Sequence, residues 1–175
     1  MQPRQWQRQG GDQTFIVSTD PSLISHEFVQ DSFAGPSMYW TGPLSHESLD
    51  TILQNSCFFG LFVQSSDPGQ QETIDRSTLK QIGMARLVTD YATLAFLTDV
   101  FVSPEFQGKG LAKWMMRCVK ELTDAMPEIR RVMFMAKRAP HAIKFYEDAL
   151  GAEVHDQEKS HVVFMSTDNT PDVDI

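Results

Sequence analysis

Long apolar runs are missing from this chain. No stretch of about 18 apolar residues occurs, which excludes a single-helix membrane span. Residues 1–11 carry Gln and Arg where a secretory leader needs an apolar centre. Cysteine is scarce: there are two, Cys57 and Cys118, and neither has a C-x-x-C partner. That excludes a disulfide framework and a zinc ribbon, and both are expected as buried thiols in a reducing compartment. The expected location is therefore cytoplasmic, with a nuclear share left open. The five histidines show no H-x-x-x-H or H-x-H spacing, so no metal is expected. Positive charge is also short overall, 15 Lys and Arg against 23 Asp and Glu, for a net −8. A coat for nucleic acid is thereby excluded, and no membrane surface is expected as a partner. Internal repeats and low-complexity tracts are absent.

The deficit of positive charge is uneven. Residues 109–144 hold nine Lys and Arg with three acids, a local +6, which leaves −14 for the remainder. A basic half within an acidic chain suits a small polyanion. A length of 175 residues with 41% hydrophobic content fits one domain with its own core. The expected limits are a flexible polar arm over 1–12, one domain over 13–168 and a flexible tail over 169–175.

Local patterning predicts the elements. Thr14 to Thr19 reads as a strand, and Asp20-Pro21 starts a helix out to Phe33. Ser45 caps a second helix with Leu49, Ile52 and Leu53 inward, and Cys57 to Gln64 is a strand. Ser65 to Ser77, with Asp67-Pro68-Gly69, is a long loop. Lys80 to Thr89 and Thr93 to Val102 form an antiparallel hairpin around Asp90-Tyr91-Ala92. Leu111, Trp114, Met115, Cys118, Val119 and Leu122 recur at helical spacing within Lys109 to Asp124. Arg131 to Ala136 is a short strand, and Pro140 to Leu150 a helix capped by Gly151. A last pair of strands is expected over Gly151 to His155 and His161 to Ser166.

Gln107-Gly108-Lys109-Gly110-Leu111-Ala112 joins the end of a strand to the start of a helix. Unpaired amides at a helix start, reinforced by the helix dipole, attract a phosphate or diphosphate. Gly108 and Gly110 let the main chain approach a ligand, and Lys109 and Lys113 can add charge. A P-loop is excluded because no Gly stands at the required upstream position and Leu follows Gly110. A dinucleotide fingerprint is excluded because Lys113 occupies the third Gly position.

The six residues Gln107 to Ala112 resemble the Gln/Arg-x-x-Gly-x-Gly/Ala signature of the GNAT superfamily of acyl-CoA-dependent N-acetyltransferases. Ala142-Ile143-Lys144-Phe145-Tyr146 resembles the tyrosine-bearing helix of that family. Two departures stand beside the match: Ala139 replaces the usual Asn, and the helix ends Leu150-Gly151-Ala152 without the usual Phe. The resemblance implies a mixed α/β domain with a central, mostly antiparallel, twisted sheet of about seven strands. That sheet is splayed at the acyl-CoA slot and flanked by about four helices.

The resemblance further implies acetyl-CoA as cosubstrate. Val100, Phe101 and Val102 would pair with the pantetheine arm, and Gln107, Gly108, Lys109, Gly110, Leu111, Ala112 and Lys113 would hold the diphosphate. Tyr146 would border the cosubstrate and protonate the leaving thiolate. Asp99 is the candidate to take the amine's proton, ahead of Asp90 and His46. Tyr39 and Trp40 would wall the acceptor site, joined by Asp90, Tyr91, Phe96 and Thr98. The reaction implied is acetyl transfer to a primary amine by direct attack, with a small amine, amino acid or polyamine as acceptor. The alternatives are a protein lysine or N-terminal acetyltransferase, a non-catalytic acyl-CoA-binding module on the same fold, or an interaction protein that binds no nucleotide. The chain is expected as a monomer or homodimer.

Overall fold

Apolar residues alternate along the strands, and the two sets they form face two different layers of helix. The computed structural model describes residues 2–65, 78–156, 158–159, 163 and 165–167. Within these, β1 (Gln5–Gly10), β2 (Gln13–Ser18), β3 (Cys57–Ser65), β4 (Leu79–Thr89), β5 (Leu94–Val102) and β6 (Arg131–Met133) form one sheet in sequence order. Neighbours are antiparallel except β5 and β6, which run parallel. Four α-helices flank the sheet: α1 (His26–Ala34), α2 (His46–Asn55), α3 (Leu111–Asp124) and α4 (Pro140–Leu150).

Phe15, Val17, Phe59, Leu61, Val63, Ala95 and Leu97 share a buried cluster with Leu111, Met115, Met116, Val119 and Leu122 of α3. Ile16, Phe58 and Phe62, on the alternate positions, join Val29, Phe33, Met38 and Leu49 on the other face. Each large apolar side chain buried this way contributes about 1.5–3 kcal/mol relative to exposure. The period-2 pattern of the strands and the helical stripe of α3 thus fix which layer lies where.

Several boundaries differ from the sequence reading. The polar stretch expected as a free arm instead contains β1, paired along its length with β2 from Gln5↔Ser18 to Gly10↔Gln13. Gly11 at φ 65° makes the tight hairpin possible. Trp6 anchors this edge strand by stacking on Phe59 at 6.0 Å between ring centres. The helix expected from Asp20 to Phe33 is broken. Asp20 caps only a 3₁₀ turn over Pro21–Leu23, and Ser25 then caps α1 by accepting from Phe28 N–H. β6 is shorter than expected. Residues 151–156 carry no strand, and of the expected partner over 161–166 only 163, 165 and 166 are described, also without strand. Among the described residues, six strands therefore stand where about seven were expected. The expected loop lies outside the described residues over 66–77, as do 168–175.

Two features of β5 open the sheet. Pairing with β6 covers only Leu94↔Arg131, Ala95↔Val132 and Phe96↔Met133. Beyond Phe96, β5 continues to Val102 with no ladder on that side among the described residues, which is the expected splay. On the other side, Met84 pairs with Phe101 and Arg86 with Thr98, so Ala85 alone faces the two residues Asp99 and Val100. This is a β-bulge, with Asp99 in the left-handed region at φ 53°.

Cys57 and Cys118 are free and buried. Burial pushes the Cys57 thiol up to about 11 and the Cys118 thiol up to about 12. A raised pKa keeps both protonated and unreactive near neutrality. Both should resist alkylation by iodoacetamide at pH 8 in the native protein and react fully in denaturant. Rapid native modification of either would contradict this placement.

Candidate active site

The turn between β5 and α3 is built from its own hydrogen bonds. Pro104–Phe106 forms a 3₁₀ turn, and Gln107 N–H donates to Pro104 O at 3.2 Å. The Gln107 side chain folds back, its Nε2 donating to Val102 O at 2.8 Å. A glutamine at this position therefore ties the loop to the free end of β5. Gly108 and Gly110 take φ 75° and 72°, a conformation costly for other residues. Gly110 is the N-cap of α3 and supplies no side chain to cap it. The first bond of the helix runs from Trp114 N–H to Gly110 O at 3.1 Å. The amides of Leu111, Ala112 and Lys113 precede that bond and face outward past the helix end. A Cβ on Gly108 would meet nothing within 4 Å, so the loop borders open space. Among the sequence-predicted contacts, Gln107 to Gly110 are exposed, while Leu111 is buried under the helix and offers only its backbone.

The two lysines expected to add charge are engaged elsewhere. Lys113 Nζ bridges to Asp148 Oδ2 of α4 at 3.0 Å. Lys109 Nζ sits over the Phe106 ring, 4.8 Å from its centre. The Lys113 and Lys144 hydrogen bonds lower the Asp148 pKa, which fits a carboxylate serving as the clasp between α3 and α4.

Tyr146 lies on α4 between Phe134, 4.6 Å away between ring centres, and Phe145 at 4.9 Å. No hydrogen bond engages its hydroxyl among the described residues. Burial raises its pKa above 10, so the hydroxyl remains a proton donor throughout the physiological range. The helix ends at Gly151, at φ 68°, with Gly151 N–H donating to Glu147 O at 2.9 Å. A glycine C-cap thus replaces the usual Gly-Phe ending, and α4 starts on Pro140 without a side-chain cap from Ala139.

Asp99 is 5% exposed and accepts three side-chain hydrogen bonds. Arg86 Nε donates to Oδ2 at 2.6 Å, while Trp40 Nε1 at 3.2 Å and Thr98 Oγ1 at 3.1 Å donate to Oδ1. Arg86 also reaches Ser56 Oγ at 3.3 Å. Asp99, Thr98 and Trp40 are therefore one cluster at the bulge, which brings the candidate base together with two of the expected wall residues. Tyr39 packs edge-on against Trp40 at 5.1 Å, and the pair is 58% and 47% exposed, so an aromatic surface faces solvent here.

The other expected wall residues do not join this cluster. Asp90 caps its own hairpin, accepting from the amides of Ala92, Thr93 and Leu94 and from Thr93 Oγ1. These bonds, led by Thr93 Oγ1, depress its pKa well below the ordinary carboxylate range, which suits a turn cap and not a base. Tyr91, at φ 58°, lies beside the Cys57 thiol and lines a separate cleft with His26, Asp50 and Phe58. Phe96 sits where the β5–β6 ladder stops. His46 begins α2. Arg86 is the residue that sequence reasoning missed. A single cation inside the apolar run Met84-Ala85-Arg86-Leu87 was the available signal, because such a residue is rarely buried without a partner.

The model of the Acetyltransferase (GNAT) family matches residues 37–152, well over half of the chain. The chain belongs to the GNAT family of acetyltransferases. A Gibberella zeae protein, FG08082, provisionally designated an acetyltransferase, is 33% identical over 79% of this chain and 78% of its own length. A GNAT-family crystal structure from Xanthomonas campestris pv. campestris, also provisionally an acetyltransferase, superposes with TM-score 0.57 at 28% identity. It covers 73% of this chain and 78% of that one. The GNAT-family protein SP0256 of Streptococcus pneumoniae shares the fold at TM-score 0.56 and 17% identity, over 89% and 98% of the two chains.

In this GNAT domain, the Asp99–Arg86 pair is expected to hold the bulge. Arg86 keeps some solvent contact, so Asp99→Ala should cost about 3 kcal/mol, the low end for breaking a buried pair. Urea unfolding measures it; a loss below about 0.5 kcal/mol, the range of an ordinary surface substitution, would show that the pair is not structural.

Proposed function

We propose that this protein is an N-acetyltransferase that moves an acetyl group from acetyl-CoA to a primary amine. The observation that carries the reading is the uncapped, doubly left-handed Gly108–Gly110 turn at the head of α3, placed where β5 loses its neighbour. The fit is favourable: outward amides for a diphosphate, open space beside Gly108, and a free strand edge whose backbone groups suit an amide-bearing pantetheine chain.

Acetyl-CoA supplies an activated thioester carbonyl. The chain's part is to hold and polarise. Backbone amides of Gln107 to Lys113 take the diphosphate, and the edge of Val100 to Val102 orients the arm. A backbone N–H at Val100 or Phe101, redirected by the bulge, donates to the carbonyl oxygen as charge develops on it. Tyr146, kept neutral by burial, gives its proton to the departing sulfur.

Asp99 suits a positioning role better than that of proton acceptor, because its oxygens already accept from Arg86, Trp40 and Thr98. The amine's proton then leaves to solvent at the exposed acceptor side. Tyr39 and Trp40 offer ring faces to an organic cation, and the −8 net charge of the chain favours cationic acceptors in approach. A small amine, an amino acid or a polyamine fits this surface.

The test is thiol release from acetyl-CoA across a panel of amines, with acetylated product identified by mass. Amine-dependent release is expected. Tight CoA binding with no product from any amine would overturn the catalytic reading. Tyr146→Phe should lower kcat by about 10²-fold while leaving the acetyl-CoA Kd unchanged. The Tyr146 pKa, raised by burial, adds a pH signature: the alkaline fall of wild-type kcat should lie above the range of an ordinary tyrosine, because the donor stays protonated there. A Tyr146→Phe variant with wild-type kcat would remove the residue from the mechanism.

A further inference from the structure

A cation at the head of α3 comes from the far N-terminal edge of the sheet. The position a Cβ would take on Gly110 lies 3.8 Å from Arg8 Nη1, and apart from the glycine's chain neighbours nothing else stands within 4 Å. Arg8 is on β1, opposite Phe15 of β2, more than a hundred residues upstream of the loop. It is exposed, and no carboxylate pairs with it among the described residues.

Its placement is built. β1 passes alongside α3. Trp6, two residues before Arg8 and so on the same face of the strand, donates from Nε1 to Glu121 Oε2 near the C-terminal end of α3 at 2.9 Å. The same indole stacks on Phe59. With Trp6 fixed at one end of the helix, Arg8 is delivered toward the other. The alternatives for a cation at this spot are diverted, since Lys113 bridges to Asp148 and Lys109 lies over Phe106. Lys80 is held near the same Phe106 ring at 5.8 Å and faces Glu105 at 3.8 Å.

We infer that Arg8 is a phosphate-binding residue of the acyl-donor site, so that β1 is part of the cosubstrate pocket. This rests on the acetyl-CoA reading above. A guanidinium beside outward amides gives a phosphate a planar donor pair in addition to the helix end, and arginine is suited to that geometry. The chemistry is shared by the diphosphate and the 3′-phosphate of coenzyme A.

The experiment compares Arg8→Gln with wild type using two donors, acetyl-CoA and S-acetylpantetheine, which lacks the nucleotide and its phosphates. Because Arg8 is exposed and β1 is held by backbone pairing, the variant should keep the wild-type melting temperature. KM for acetyl-CoA should rise about tenfold, the size of one charge-assisted contact, with kcat unchanged. KM for S-acetylpantetheine should not change, and Arg8→Lys should recover part of the loss. Acetyl-dephospho-CoA then distinguishes the source: a persisting effect assigns the diphosphate, a vanished one the 3′-phosphate. An unchanged KM for acetyl-CoA, or equal rises with both donors, would overturn the inference. Calorimetry with CoA on both proteins separates this from the catalytic reading. Wild-type binding that weakens in Arg8→Gln supports Arg8 even without turnover, and equal binding by the two removes it. No binding by wild type defeats both.

Discussion

A non-glycine residue in left-handed backbone within a central strand is strained, by about 1–3 kcal/mol, and persists only where its surroundings hold it. Asp99 occupies that position in β5, and the contact that makes it tolerable is the Arg86 ion pair from the neighbouring strand. Asp is among the few residues with some tolerance for this backbone, and its carboxylate here gains three donors. The consequence reaches well beyond one turn. The extra residue shifts the phase of β5, so that Leu97 and Val100, three apart, both pack toward α3. It also aims the end of the strand at the loop that precedes α3. The same carboxylate pins Trp40 from the α1–α2 connection, so the exposed Tyr39–Trp40 pair and the strand edge are set by one buried group.

Around that constraint the sheet is asymmetric in a useful way. From β1 to β5 every strand is paired antiparallel, and the core is continuous on both faces. The break comes only after Phe96, where β6 stops. Unpaired strand edges are generally a liability, yet here the edge is short and opens beside the uncapped helix end and the Tyr146 helix. The Lys113–Asp148 bridge links α3 to α4, which ties the tyrosine's helix to the one that follows the Gly108–Gly110 loop.

Much of this was legible in the residues themselves. The glycine-bearing loop and the α3 stripe were readable because each rests on local chemistry: left-handed backbone and helical periodicity. Membership in the family and the mixed sheet followed from the same stretch. What escaped depends on partners distant in sequence. β1 reads as polar filler, since five of its six residues are exposed and only Trp6 anchors it, although Gly10-Gly11-Asp12 was a hairpin signal. The break between Asp20 and α1 escaped because two good caps, Asp20 and Ser25, stand five residues apart and the first governs only a 3₁₀ turn. The sequence reading places Asp90 and Tyr91 with the acceptor wall. In the fold, Asp90 closes its own turn and Tyr91 turns toward Cys57. The role of Arg86 could be suspected from its apolar neighbours, but not its partner, which the bulge supplies.

The central claim is that the head of α3 receives the diphosphate of the acyl donor through main-chain N–H groups. Amide-resolved NMR during a titration with coenzyme A tests it most directly. The account predicts that the largest shifts fall on the amides of Gly108 through Lys113, with smaller ones along Val100 to Val102. Saturable binding that left those amides unmoved, with the shifts gathered elsewhere on the sheet, would contradict it.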